Sequence, residues 1–130
     1  MPILSRCARL SLVFAGVSGA VGVLAGAWAS HAGGAALDAG ALRLVEIGAR
    51  YQLVHAVALL GCAVLVAGWP GRLAAIACVL FCVGTILFSG SLYVLAATGL
   101  SGLGGVTPLG GICFVAGWLA LAAHAITIAR

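Results

Sequence analysis

Four stretches of this chain, 10–29, 51–68, 73–97 and 106–128, contain no arginine, aspartate or glutamate, and the chain has no lysine anywhere. Each is long enough, at about 1.5 Å rise per residue, to cross the ~30 Å hydrocarbon layer of a bilayer as a helix. Nothing else in the sequence constrains the fold as strongly. Of the 130 residues 65% are hydrophobic and only 6% charged, against about 25% charged in ordinary soluble domains. With a mean hydropathy of +1.31, too little polar surface exists to coat a globule in water. The expected fold is therefore all-α: a four-transmembrane-helix bundle forming a single integral membrane domain over 1–130, with the lipid bilayer as its first partner and no room for a separate catalytic domain.

The polar residues divide the spans. Arg6 and Arg9 precede the first, whose length and glycines at Gly16, Gly19, Gly22 and Gly26 suit an uncleaved, packed helix better than a secretory leader. Residues 30–50 hold both acidic residues, Asp38 and Glu46, with Arg43 and Arg50. Leu37, Leu42, Leu44, Val45 and Ile47 alternate with these at helical intervals, which predicts a short amphipathic helix between helices 1 and 2. Within it Glu46 and Arg50 have the i, i+4 spacing of a helix-face ion pair. Trp69-Pro70-Gly71 marks a tight turn after helix 2, and the uncharged stretch 98–105 joins helices 3 and 4. Gly110, Gly111 and Gly117 predict close approach by helix 4.

Six arginines against two acids set the net charge at +4 and the pI near 9.1. The arginines are scattered without a basic run, so nucleic acid is excluded as a partner and the charges are read as topology signals. Arg6, Arg9, Arg72 and Arg130 share one side, which places both termini in the cytoplasm and the chain in a bacterial inner (plasma) membrane. Cys7, Cys62, Cys78, Cys82 and Cys113 form no C-x-x-C pair. They read as small apolar residues rather than a disulfide or metal framework.

One pattern goes beyond composition. His31, Glu46, Arg50, Tyr51, Gln52, His55, Ser89, Ser91, Tyr93 and Thr107 all fall in the non-cytoplasmic half of the predicted topology. On helix 2, Gly48, His55 and Cys62 recur every seven residues, a stripe that must face other helices. One reading is a polar pocket for a small molecule, ion or lipid headgroup, since ionisable groups inside membranes are functional candidates by default. The other is that these side chains brace the bundle, each hydrogen bond contributing about 0.6 kcal/mol. His124, near the opposite end of helix 4, is expected at the interface. No H-E-x-x-H spacing, nucleophile elbow or phosphate loop is present; no metal, cofactor or catalytic residue is assigned.

Four segments carry a family resemblance: Gly26-Ala27-Trp28-Ala29-Ser30-His31; Glu46 through Ala56; Gly84-Thr85-Ile86-Leu87-Phe88-Ser89-Gly90-Ser91-Leu92-Tyr93; and Thr107-Pro108-Leu109-Gly110-Gly111 running to Ala116-Gly117-Trp118. In this order they resemble the domain-of-unknown-function 423 family, small inner-membrane proteins of the YgdD type, to which eukaryotic transmembrane protein 256 is related. Trp28-Ala29-Ser30 departs from the family's usual second Gly-Ala before the histidine. The resemblance implies a four-helix membrane protein and no particular activity. Two functions stay open: a structural or accessory bundle that associates with itself or with a larger membrane complex, and a small transporter or ligand-binding protein using the outer polar pocket. An intramembrane enzyme has the fewest residues in its favour.

Overall fold

The computed structural model describes residues 4–128, so Arg130 lies outside the described residues. Four long helices account for most of it: α1 (Arg6–His31), α2 (Ala39–Gly68), α3 (Arg72–Thr98) and α4 (Val106–Ile128). Each is long and apolar enough to cross a membrane, and no strand occurs among the described residues. The helix ends follow local chemistry. Ser5 caps α1, its Oγ accepting the Ala8 N–H at 3.2 Å, and Asp38 caps α2 through the Ala41 N–H at 2.8 Å, each satisfying an otherwise orphaned donor. Gly99 closes α3 with a left-handed φ of 68° and donates its N–H to the Leu95 carbonyl at 2.8 Å, a conformation that glycine alone adopts without strain.

The amphipathic stretch after α1 is helical but is not a separate element, because it continues into the second span as a single helix of 30 residues. Asp38 starts that helix instead of belonging to its polar face, and no proline interrupts it before Pro70. At ~1.5 Å per residue α2 is about 45 Å long, more than the hydrocarbon layer needs. Its first three turns are the part that carries Arg43, Glu46 and Arg50, all exposed.

In cross-section the helices form a zigzag. α1 packs along α2, α2 along α3 and α3 along α4, whereas α1 touches α3 only lightly and does not pack on α4 among the described residues. The zigzag leaves two grooves, one between α1 and α3 over α2, the other between α2 and α4 over α3. The main core is built of small residues, among them Ala8, Ala15, Cys62, Ala74, Ala77 and Cys78, around Leu59, Phe81 and Phe114. All five cysteines are free thiols.

Large rings enter where glycines leave space. The Phe114 ring lies against Gly84, the Phe81 ring against Gly117 and the Tyr93 ring against Gly48, each where an added Cβ would come within 2.6–2.8 Å of ring carbons. On α1, Gly19, Gly22 and Gly26 face Ala56, Leu53 and Ala49 of α2, while Gly16 points away, with nothing within 4 Å of a Cβ there. That difference is helical: at about 100° per residue Gly19, Gly22 and Gly26 fall within about 60° of one another, and Gly16 lies beyond that arc.

α3 contains a π turn at Ile86–Gly90. The extra residue re-aims the following turn, so that Phe88 reaches α4 and Ser89 reaches α2. Gly110 sits directly on the Phe88 backbone, a Cβ there falling 2.8 Å from the Phe88 Cα and against its nitrogen. Gly111, the next residue, meets only the Phe88 ring at 3.9 Å. Gly110→Ala is therefore expected to destabilise the protein by about 1–3 kcal/mol, because backbone cannot rotate aside, and Gly111→Ala to leave it near wild type. Thermal unfolding in mild detergent compares the two, and equal effects would contradict this packing.

Candidate functional site

Helix geometry separates the polar candidates. Adjacent residues on α2 point about 100° apart, so Gln52 faces α1 and α3 while Tyr51 and His55 face the groove toward α4. The ten residues expected to line one pocket do not share a cavity. Gln52 and Tyr93 border the α1–α3 groove, Tyr51 and His55 the α2–α4 groove, and Glu46 and Arg50 a polar surface cleft beside Arg43. His31 is exposed at the end of α1, its Nδ1 2.9 Å from the Ala27 carbonyl of its own helix.

Gln52 joins three helices. Its Nε2 donates to the Ser18 carbonyl of α1 at 2.9 Å, and its Oε1 accepts the Tyr93 hydroxyl of α3 at 2.7 Å. Close by, the Ser89 hydroxyl donates to the Gly48 carbonyl at 2.8 Å, which the bare glycine and the π turn make reachable. Toward the α3–α4 connection, the Ser91 hydroxyl donates to the Phe88 carbonyl at 3.0 Å and lies 2.7 Å from the Thr107 hydroxyl. With its one proton given to the carbonyl, Ser91 must accept from Thr107, which ties α3 to the first turn of α4.

His55 is buried, and its surroundings define its protonation. The Trp118 indole N–H donates to Nε2 at 3.2 Å, and Nδ1 lies 2.7 Å from the Tyr51 carbonyl. An indole only donates and a carbonyl only accepts, so Nε2 carries the lone pair and Nδ1 the proton: the imidazole is neutral and in one tautomer. Its ring stacks on Phe114 with centroids 3.5 Å apart and planes 10° from parallel. Phe81 at 5.4 Å and Trp118 at 6.1 Å close two further sides, and Tyr51 stacks at 6.2 Å. The α2 and α4 backbones scarcely approach each other; these rings bridge them.

The sequence pattern did not single out Phe81, Phe88, Phe114 or Trp118 as site residues. A signal existed, since Phe81 and Phe88 are seven apart and Phe114 and Trp118 four apart, each pair on one helix face. His124 has a partner that the sequence did not indicate. At that helix end it is 2% exposed, its Nε2 3.1 Å from the Trp69 carbonyl, with its ring against Gly71, so it fastens the end of α4 to the α2–α3 turn. Among the described residues no group of three or more His, Cys, Asp or Glu is arranged to hold a metal ion.

Comparison with known proteins finds relatives that align with most of the chain. The family model described as "Protein of unknown function (DUF423)" matches residues 25–111. The Escherichia coli K12 "UPF0382 inner membrane protein YgdD" is 37% identical over 122 residues, covering 94% of this chain and 93% of that protein. A Haemophilus influenzae "UPF0382 membrane protein" is 37% identical over 85% of this chain and 89% of its own. The Bacillus subtilis "UPF0382 membrane protein YwdK" is 30% identical over 91% and 97% respectively. No solved structure matches.

Replacing Gln52 by Leu keeps its approximate size but removes the bonds to Ser18 and Tyr93. The expected loss is about 1–2 kcal/mol of stability, read as a lower melting temperature with helix content unchanged by circular dichroism. For His55, nitrogen NMR of labelled protein is expected to show a protonated Nδ1 and a bare Nε2. A proton on Nε2 would mean that the Trp118 contact is not a hydrogen bond.

Proposed function

The chain belongs to the DUF423 family, and from that membership and the side-chain geometry we propose that it is a non-enzymatic accessory bundle of the membrane, acting by lateral association with itself or with a larger membrane complex. One observation carries this reading. Gln52, His55, Ser89, Ser91, Tyr93 and Thr107, the polar groups that chemistry or transport would draw on, are each engaged by a neighbouring helix. His55 in particular has both ring nitrogens occupied, so taking up a proton at Nε2 would break the Trp118 bond. The side chains that face outward are apolar, such as Val17, Leu24, Val57 and Leu119, and suit lipid or another helix.

A second reading has its own support. The groove between α2 and α4, about 720 Å³ and bordered by Tyr51, His55, Phe88, Phe114 and Trp118, has the aromatic lining of a binding site for an apolar molecule. Its lining does not suit an ion. Native mass spectrometry of the protein released from mild detergent separates the two readings. The accessory bundle predicts a bare protein mass, alone or multiplied, with His55→Ala lowering the melting temperature and releasing nothing. A discrete small-molecule adduct that disappears in Trp118→Ala would replace it with the ligand-binding reading.

The membership and the arginines support an inner-membrane location with both termini cytoplasmic. Arg6, Arg9 and Arg72 lie at the end of the bundle shared by the start of α1 and the α2–α3 turn; Arg43 and Arg50 at the other are offset by Asp38 and Glu46. A reporter enzyme active only in the periplasm, fused to the C-terminus, is expected to be silent, and activity there would invert the topology.

A further inference from the structure

Two exposed aromatic residues fix the depth of α2 in the membrane. Tyr51 and Trp69 are 44% and 57% exposed, and no arginine, aspartate or glutamate lies between them. At ~1.5 Å per residue they stand about 27 Å apart along the axis, close to the ~30 Å thickness of the hydrocarbon layer. Aromatic side chains settle at the headgroup level on both faces of a bilayer, so this pair marks the two boundaries. Arg50, next to Tyr51, then lies at the inner edge of the headgroup layer, Glu46 about 6 Å farther out and Arg43 about 10 Å out. That layer is about 5–8 Å deep on each face. Arg50 and Glu46 are therefore within it, and Arg43 is at its water side.

The three charged side chains border an open cleft of about 500 Å³ whose bed is Ala39, Leu42 and Ile47, all on α2. All three are exposed. Glu46 and Arg50 have the spacing of a helix-face ion pair, yet no carboxylate comes within 4.0 Å of a guanidinium among the described residues. The charges are presented to the surroundings and are not spent on one another.

Read outward from the hydrocarbon, the cleft offers a cation and then an anion. A phosphoethanolamine headgroup has the complementary order, a phosphate next to the glycerol and, two methylene groups farther out, a primary ammonium. From this match of charge and depth we infer that the cleft binds the headgroup of a phosphatidylethanolamine lipid in the adjoining leaflet. The Arg50 guanidinium donates to the phosphate oxygens in the forked geometry that suits them, and the Glu46 carboxylate accepts from the ammonium, which has three donors to give. Arg43 offsets the repulsion between that carboxylate and the phosphate. Other headgroups fit less well. Phosphatidylglycerol has the phosphate but sets no cation against Glu46, and the quaternary ammonium of phosphatidylcholine has no N–H to donate. The inference goes beyond the accessory-bundle reading and holds whichever face of the membrane this end of the bundle occupies.

The test uses full-length protein in mild detergent to which equal amounts of dioleoyl phosphatidylethanolamine, phosphatidylglycerol and phosphatidylcholine are added, with the retained lipid identified by native mass spectrometry. Phosphatidylethanolamine is expected to be retained about threefold over phosphatidylcholine, the scale of one or two exposed charge pairs. Glu46→Gln is expected to abolish that preference and to shift the ratio of phosphatidylethanolamine to phosphatidylglycerol about threefold toward the latter. Arg50→Gln is expected to lower retention of phosphatidylethanolamine; circular dichroism checks that both variants fold. Free phosphoethanolamine at the same concentration is expected not to displace the lipid, because it lacks the acyl chains that hold the headgroup at this depth. Displacement by it would make this a site for a soluble ligand and overturns the inference. So does the absence of retained phosphatidylethanolamine, its retention no better than that of phosphatidylcholine, or a preference that survives Glu46→Gln. The accessory-bundle reading fails on a different result, the Trp118-dependent adduct, so the two failures are distinguishable.

Discussion

Inside a bilayer, apolar side chains gain nothing by leaving water, because lipid is as apolar as leucine, and cohesion has to come from close contact and from hydrogen bonds between helices. In this protein both are obtained by the same device. Gly48, Gly84 and Gly117 remove side chains where Tyr93, Phe114 and Phe81 insert rings, bringing together helices that leucine-to-leucine packing would hold apart. Dispersion contacts, individually weak, add up only at such distances. The hydrogen bonds depend on the same approach: Ser89 reaches the Gly48 carbonyl where no side chain stands in the way.

The two grooves of the zigzag are lined differently. Between α2 and α4, the rings of Phe81, Phe88, Phe114 and Trp118 surround His55 and hold it neutral through two opposed hydrogen bonds. The histidine that a sequence alone marks as a functional candidate has both ring nitrogens hydrogen-bonded. Between α1 and α3 the lining is mostly apolar, and beside it the buried Ser18 hydroxyl has no hydrogen-bond partner among the described residues.

Much of this was legible in the sequence. The four uncharged runs identify the four spans, Trp69-Pro70-Gly71 gives the turn between α2 and α3, and Gly19, Gly22 and Gly26 share the face that meets α2. The site was legible only as a set of residue types at similar depth. Periodicity along α2 placed Gln52 and Tyr51 as neighbours, but a 100° step sends them to different helices. The π turn at Ile86–Gly90 was hidden because it has no compositional signature, and it changes the direction of Phe88 and everything after it. His124 was legible as a residue near a helix end, but not its partner, the Trp69 carbonyl of the α2–α3 turn.

By itself the sequence determined that this chain lies in lipid, that it crosses four times, and where its polar segments sit, because transfer from water to hydrocarbon depends on composition summed over a span and not on neighbours. Only the tertiary structure decided which polar groups are spent and which remain, since a hydrogen bond depends on distances of a few tenths of an ångström between residues such as Gln52 and Tyr93 or His55 and Trp118 that lie far apart along the chain. Those distances are set by how rings and glycines interlock across three helices at once. No one-dimensional pattern carries that information.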